Sequence, residues 1–528
     1  MVSATVVLGA TVATVLAVTA VGALAARGRV GNVEDFITAR NTTGAGSLTA
    51  TLVASSMGAW ILFSPAEAGA AFGGLAAVAG YAAGSAVPMI AYAWLGPRIR
   101  RLIPRGHSLT EYAYARYGTA MYAYVLAVSV AYMFTFLAAE MTGITGALSL
   151  IAGVPRWQTA AVVGAAVLAY TAYGGLRASI VTDVVQTLVV LPLLAVAFGA
   201  ALLSLGGTGA VYDRIVAADP SLLDPGFLGG LEFGAYVVIA VLGAEMLNQA
   251  WWQRVYTAES EATLRRSFLV AAVAVVPMVL LAGLFGPVAR GLGLDLSGGR
   301  ASVAFFVVVT ETMPDAVVLA VAVLAVLLVT SSADTLLNAI ASVVTADLPR
   351  LVDADDLTGA ARLLTVAVAL AAIAVGAQGY SVLAVFLTAD LLASATFIPL
   401  LAGLFSPRVR GRAALVASVA GLVAGVAFFP IARPVLVPTV AGALPASFLY
   451  AFFGAAAVSG GVTLAAVLLA PGEYDLGRLE REIGRLDGAA DGGPPGTGPD
   501  RAEVSRTADG GPDRGAVGDG GGGGGDRR

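Results

Sequence analysis

Apolar runs of about 20 residues, the length a helix needs to cross the hydrocarbon core of a bilayer, recur along nearly the whole chain. They are read at 4–26, 47–76, 78–96, 119–150, 158–173, 180–205, 230–252, 265–288, 316–345, 360–378, 380–404, 412–431 and 444–470. This pattern predicts an all-α integral membrane chain with about 13 transmembrane helices. The first run is not read as a secretory signal, because no basic residue precedes it and it exceeds a signal core in length.

Composition supports lipid as the main solvent. Of 528 residues, 58% are hydrophobic and only 12% charged, about half the charged share of a soluble chain. There is no cysteine, so disulfide and thiolate chemistry are excluded. The one histidine, His107, cannot build a histidine-rich metal site or an HExxH zinc motif. A net charge of −4 argues against nucleic-acid partners. No enzymatic motif and no obligate protein partner are implied.

Arginine placement predicts orientation, because cytoplasmic loops collect basic residues. Arg98, Arg100, Arg101, Arg105 and Arg116 crowd one loop, and further arginines follow in alternate loops. The opposite set holds only Arg156, Arg214, Arg290, Arg300 and Arg433. The N-terminus is therefore expected outside and the C-terminus in the cytoplasm, in the plasma membrane. Beyond Pro471, Leu476, Leu479, Ile483 and Leu486 recur at helical spacing, which predicts a short amphipathic helix docked on the bundle or the inner membrane face. The Gly- and Asp-rich stretch 487–528 is expected to be disordered.

Ionisable residues inside spans are costly, so each is a candidate for function. Glu67, Glu140, Asp183, Glu245, Asp334 and Asp390 lie in or near spans. In the second span, Pro65 and the glycines after it predict a break that presents free carbonyls to a cavity, or else a plain kink. Free carbonyls suit Na⁺, a hard cation that prefers oxygen. In the ninth span, Ser331, Ser332, Thr335, Asn338 and Ser342 set polar groups on successive turns, with Asp334 among them. The seventh span ends with Glu245, Asn248, Gln249, Trp251 and Trp252, polar groups beside flat apolar faces, as in a small-solute site. Arg254 is read there as a marker of the inner boundary. In YTAYGGLRASIVTD, Gly174 and Gly175 predict a tight turn before Asp183.

Together these motifs resemble the sodium/solute symporter family, which includes the sodium/proline and sodium/galactose symporters. The likeness covers roughly 1–470. It rests on YxxxGGLRAxxxTD at 170–183, NQxxxQR at 248–254, SSADTLLN at 331–338, TADL at 345–348 and RGHSLTEYAYARYG at 105–118. It implies a LeuT-like inverted repeat of five plus five helices with additional peripheral helices. The expected divisions are a first peripheral helix and loop (1–46), a first repeat (47–205), an extracellular loop (206–229), a second repeat (230–404), two peripheral helices (405–471), the amphipathic helix (472–486) and the tail. The first helix of each repeat is expected to be broken.

The resemblance implies a sodium-coupled symporter of a small polar solute such as proline, urea or a small carboxylate. A proton-coupled symporter and a transporter-like membrane sensor are the alternatives. Na⁺ would be held by carbonyls of Ala54, Met57 and Leu328 and by the hydroxyls of Ser331 and Ser332. Asp183 and Asp334 are candidates for coupling or for a second cation. Ser56, Trp60, Glu67, Glu245, Asn248, Gln249, Trp252 and Asp390 are the solute-binding candidates. The chain departs from the family at Ser56, where proline symporters carry an acid, and at Glu67 and Glu245. Asp390, in LTADLLASATFIPLL, resembles the urea-transporting branch more than the sugar branch.

Overall fold

A computed structural model describes residues 2–26, 39–297, 299–351, 357–438, 443–470 and 474–483. Within these, the side chains of 170–175, 177, 178, 345, 346, 348–351 and 357–362 are not described. The expected tail, 487–528, and Leu486 lie outside the described residues.

The elements used below run as follows. They are α1 (Ala4–Ala26), α2 (Ala45–Ser56), α3 (Gly74–Leu102), α4 (Leu109–Tyr117), α5 (Thr119–Ala152) and α6 (Arg156–Ser204). Then come α7 (Gly207–Ala218), α8 (Leu228–Met246), α9 (Gln249–Thr257), α10 (Glu261–Gly291), α11 (Ala304–Thr312) and α12 (Asp315–Leu351). The last are α13 (Leu357–Gly376), α14 (Val382–Ala402), α15 (Gly411–Phe428), α16 (Phe448–Leu469) and α17 (Arg478–Glu482).

Ten helical stretches among the described residues are long and apolar enough to cross a membrane. The thirteen expected runs all fall on helix, but three are not counted separately. The runs 47–76 and 78–96 contribute to one stretch, Ala59–Leu102. The runs 158–173 and 180–205 both lie in α6, whose backbone stays helical through Gly174 and Gly175. The predicted turn there does not form, since glycine weakens a helix by only about 1 kcal/mol and does not force a break. In α13 the apolar part, Leu363–Gly376, is shorter than a full span.

Burial orders the bundle from inside to outside. In α12, 72% of the apolar window is buried, against 28% in α1 and α15 and 22% in α16. α12 packs on α5, α6 and α13, and α2 packs on α6, α10 and α12. α3 runs between α8 and α10. It crosses α8 where Gly80 meets Gly234, and a Cβ on Gly80 would overlap the Gly234 backbone. Small residues let membrane helices approach this closely. The chain entering α2 also pairs with the chain leaving α9: Thr43 N–H donates to Thr257 O at 3.0 Å and Glu259 N–H to Thr43 O at 3.1 Å. The two interrupted helices are thereby tied at one end.

The segment 474–483 packs on α4. Tyr474 OH donates to Ala115 O at 3.0 Å, the Arg116 guanidinium lies 4.2 Å from the Tyr474 ring centroid, and Leu479 and Ile483 are buried.

Candidate functional site

The first interrupted helix opens at Met57 and Gly58. α2 ends at Ser56, Met57 turns to φ −107°, ψ 82°, and Gly58 is fully extended. A 3₁₀ turn (Ala59–Leu62), a short helical turn (Ser64–Glu67) and a π-helical turn (Ala68–Gly73) carry the chain on to α3. The break therefore precedes Pro65 instead of being caused by it. Pro65 sits in the first turn of a new helical piece, where its missing N–H breaks no bond. The cause is Glu140 on α5. Its Oε2 accepts the Ala59 N–H at 2.6 Å and the Ser332 hydroxyl of α12 at 2.8 Å. A Cβ on Gly58 would overlap this carboxylate, which would have to shift to admit a side chain. Oε1 of Glu140 is buried with no hydrogen-bond partner among the described residues.

The second interrupted helix opens between α8 and α9 at Leu247 and Asn248. Asn248 caps α9 by accepting the Ala250 N–H at 3.0 Å.

Beside the first opening lies a small cavity. It is lined by Ala54, Met57, Leu328 and Ser331, and by Gln186 and Thr187 of α6, among others. It has the room of roughly one water or one small ion. Four of the five residues expected to hold Na⁺ thus share one cavity. Ser332 does not line it, because its hydroxyl turns to Glu140 and to Leu328 O. Gln186 adds an oxygen that sequence reading missed. Its Nε2 donates to Thr330 Oγ1 at 2.9 Å, while its Oε1 is buried without a hydrogen-bond partner. A polar amide in an apolar run was the available signal.

Asp183 on α6 and Asp334 on α12 each accept hydrogen bonds from the other of these two helices. Asp183 is fully buried and accepts from Ser331 at 2.6 Å, Thr51 at 2.5 Å and Ser55 at 3.2 Å. Arg254 pairs with it at 3.4 Å and also donates to Ser55 at 2.8 Å and Thr335 at 3.0 Å. Arg254 was expected at the inner boundary, yet it is wholly buried. The Asp183 carboxylate and the hydroxyls of Thr51, Ser55 and Thr335 hold a charge that lipid could not. Asp334 accepts from Ser179 at 2.9 Å and Thr182 at 3.4 Å.

A larger cavity opens between α3, α5, α8, α14 and the first break. Trp60, Glu245 and Asp390, three of the expected solute residues, line it. Tyr81, Tyr132, Phe136 and Phe386 form most of the remaining wall. These aromatics read as ordinary core in the sequence; only the packing turns them inward together. Glu245 accepts from Asn248 at 2.9 Å, from Tyr132 OH at 3.4 Å and from the Trp251 indole N–H.

The other expected solute residues do not line this cavity. Asn248 lines a third, smaller space with Trp251, Ser332 and Thr335. Ser56 bonds back to Val53 O at 2.8 Å. Glu67 accepts from Ser381 at 3.1 Å. Gln249 clamps the loop before α4, donating to His107 O at 2.7 Å and accepting the Leu109 N–H at 2.9 Å. Trp252 is buried against Tyr112, with ring centroids 5.8 Å apart. Gln249 and Trp252 lie one turn apart on one face of α9.

Comparison with known proteins fits this architecture. Residues 36–421 match the sodium:solute symporter family. A spermidine transporter of Candida albicans is 27% identical over 322 residues, which are 60% of this chain and 60% of that protein. A urea active transporter of Saccharomyces cerevisiae is 26% identical over 248 residues, 44% of this chain and 33% of that one. A urea–proton symporter of Oryza sativa is 23% identical over 42% of this chain and 35% of its own. The matched part thus spans less than two thirds of each of these relatives. Among solved structures, a substrate-bound, outward-open Na⁺-coupled sialic acid symporter aligns with TM-score 0.70 at 16% identity, over 89% of this chain and 99% of that one. A closed nucleobase-cation-symport-1 family transporter aligns with TM-score 0.54 at 15% identity, over 85% and 99%. These alignments show the LeuT-like fold.

Proposed function

Because the chain belongs to the sodium:solute symporter family, we propose that it imports a small polar organic solute coupled to Na⁺ by alternating access. It is a multi-pass membrane transporter and not an enzyme. The observation that carries the sodium reading is the cavity between the opened end of α2 and α12, lined by Ala54, Met57, Leu328 and Ser331. It joins elements that alternating access would separate, and an ion that bridges them favours the state in which they touch. Carbonyl and hydroxyl oxygens suit a hard monovalent cation. The unpartnered Oε1 of Gln186 supplies one more such oxygen.

The larger cavity, with Trp60, Glu245 and Asp390, is the solute site in this reading. Asp183 and Asp334 are assigned to coupling or to a second cation. The arginine pattern supports a plasma-membrane protein with its N-terminus outside and its C-terminus inside. An inward potential then contributes about 2.3 kcal/mol per charge per 100 mV, roughly a fiftyfold solute gradient at 1.4 kcal/mol per tenfold.

Uptake into proteoliposomes under an imposed Na⁺ gradient tests this. Uptake should require Na⁺, and Ser331→Ala should raise the Na⁺ concentration for half-maximal uptake about tenfold. Uptake indifferent to Na⁺ would defeat the sodium reading.

One observation favours a proton instead. Glu140 places a fully buried carboxylate, with one oxygen unpartnered, against both Ser332 and the break in the first helix. Protonating it would loosen both contacts. A pH jump without Na⁺ separates the two readings.

A further inference from the structure

The larger cavity carries a charge balance that points to its occupant. Two carboxylates, Glu245 from α8 and Asp390 from α14, line it, and no lysine, arginine or histidine does. All the side-chain partners of Glu245 are neutral donors: Asn248, Tyr132 and Trp251. Asp390 is 5% exposed and makes no hydrogen bond or ion pair with any described residue. The buried arginine nearest in sequence, Arg254, is engaged with Asp183. A carboxylate withdrawn from water without a counter-charge is strongly disfavoured. A cation in the cavity would supply the counter-charge that the two carboxylates lack.

The rest of the wall narrows the kind of cation. It is built from the rings of Trp60, Tyr81, Tyr132, Phe136 and Phe386. Trp60 and Tyr81 are stacked with centroids 5.6 Å apart, and Phe136 meets Phe386 edge-on at 4.8 Å. Ring faces attract weakly hydrated organic cations. An alkali ion would instead demand oxygens on every side in place of its water, and the side chains of Trp60, Phe136, Val241, Ala244 and Phe386 offer none.

We propose that this cavity recognises a small aliphatic amine, with its ammonium on Asp390 and Glu245 and its carbon chain against the aromatic wall. The inference rests on the transport reading above and names the solute class within it. A neutral amide such as urea would leave the two carboxylates without a counter-charge. A carboxylate solute would add a third negative charge.

The full chain in proteoliposomes, with 1,4-diaminobutane as probe, tests this. The controls are 1,4-butanediol, which has the same length and no charge, and urea, L-proline and succinate. The diamine should raise the melting temperature of the purified protein and accumulate under a cation gradient, while the diol does neither. Asp390→Asn should weaken the diamine effect at least tenfold. Urea, proline or succinate acting where the diamine does not would overturn the amine assignment and leave the symporter standing. Full diamine binding by a folded Asp390→Asn would overturn it as well. Should that variant not fold, the comparison of diamine with diol in the unaltered protein decides: equal effects overturn the proposal. No accumulation of any solute under either a Na⁺ or a proton gradient would instead defeat the transport reading, and this inference with it.

Discussion

The hydroxyl of Ser332 donates to Glu140 at 2.8 Å, and the same carboxylate oxygen accepts the Ala59 N–H at 2.6 Å. One side chain of α5 thus holds the break in the first interrupted helix against α12. Sequence alone marked Glu140 only as an acid in an apolar run. Its contacts make it the joint between two elements that an alternating-access cycle would move relative to each other.

Replacing Glu140 with glutamine keeps the shape and removes the charge. Charge-assisted hydrogen bonds are about twice as strong as neutral ones, and a bond to a charged group contributes about 1.5–3 kcal/mol. Glu140→Gln should lower the initial rate of gradient-driven uptake at least tenfold. If the proton reading holds, it should also flatten the response to a pH jump, while solute exchange without a gradient persists. Uptake kinetics in proteoliposomes check both.

Gly58 has no room for a side chain, because a Cβ there would overlap the Glu140 carboxylate. Gly58→Ala should destabilise by about 1–3 kcal/mol, the usual cost of overpacking. In the double variant Gly58→Ala with Glu140→Ala part of that loss should be recovered. Thermal unfolding of the four proteins measures the coupling.

The pair Asp183–Arg254 is wholly buried. Removing one member leaves a lone buried charge and should cost about 3–5 kcal/mol. Asp183→Ala and Arg254→Ala should therefore each be more damaging than the two combined. A melting-temperature cycle in detergent reads this directly, and additive losses would mean that the two side chains act independently.

Gln186 belongs to the wall of the small cavity, and its Oε1 has no hydrogen-bond partner among the described residues. In the sodium reading proposed above, Gln186→Leu should raise the Na⁺ concentration for half-maximal uptake about tenfold, since its side-chain oxygen is lost. An unchanged Na⁺ dependence would remove Gln186 from the ion's surroundings.

Gln249 was expected to touch solute, but it clamps the loop between α3 and α4 through His107 and Leu109. Gln249→Ala leaves buried backbone groups unpaired, at about 1–3 kcal/mol. Stability should fall while the solute KM of the folded fraction stays within about twofold, which uptake at a series of solute concentrations tests.

The order of residues alone was enough to establish the solvent and the class of fold. Apolar runs of spanning length need helices, because lipid offers no partners to an open backbone, and the motifs at 170–183, 248–254 and 331–338 pointed to the family. It also marked Asp390 and Glu245, since an acid in an apolar run stands out against its neighbours. What those acids face came from the packing of the helices. Whether Trp60, Tyr132 and Phe386 are core or cavity wall depends on which helices cross, and no local pattern encodes that. The position of the first break was likewise set from outside its own segment. Pro65 drew attention in the sequence, yet the chain opens seven residues earlier, at Gly58, where a carboxylate from another helix takes up the freed backbone N–H.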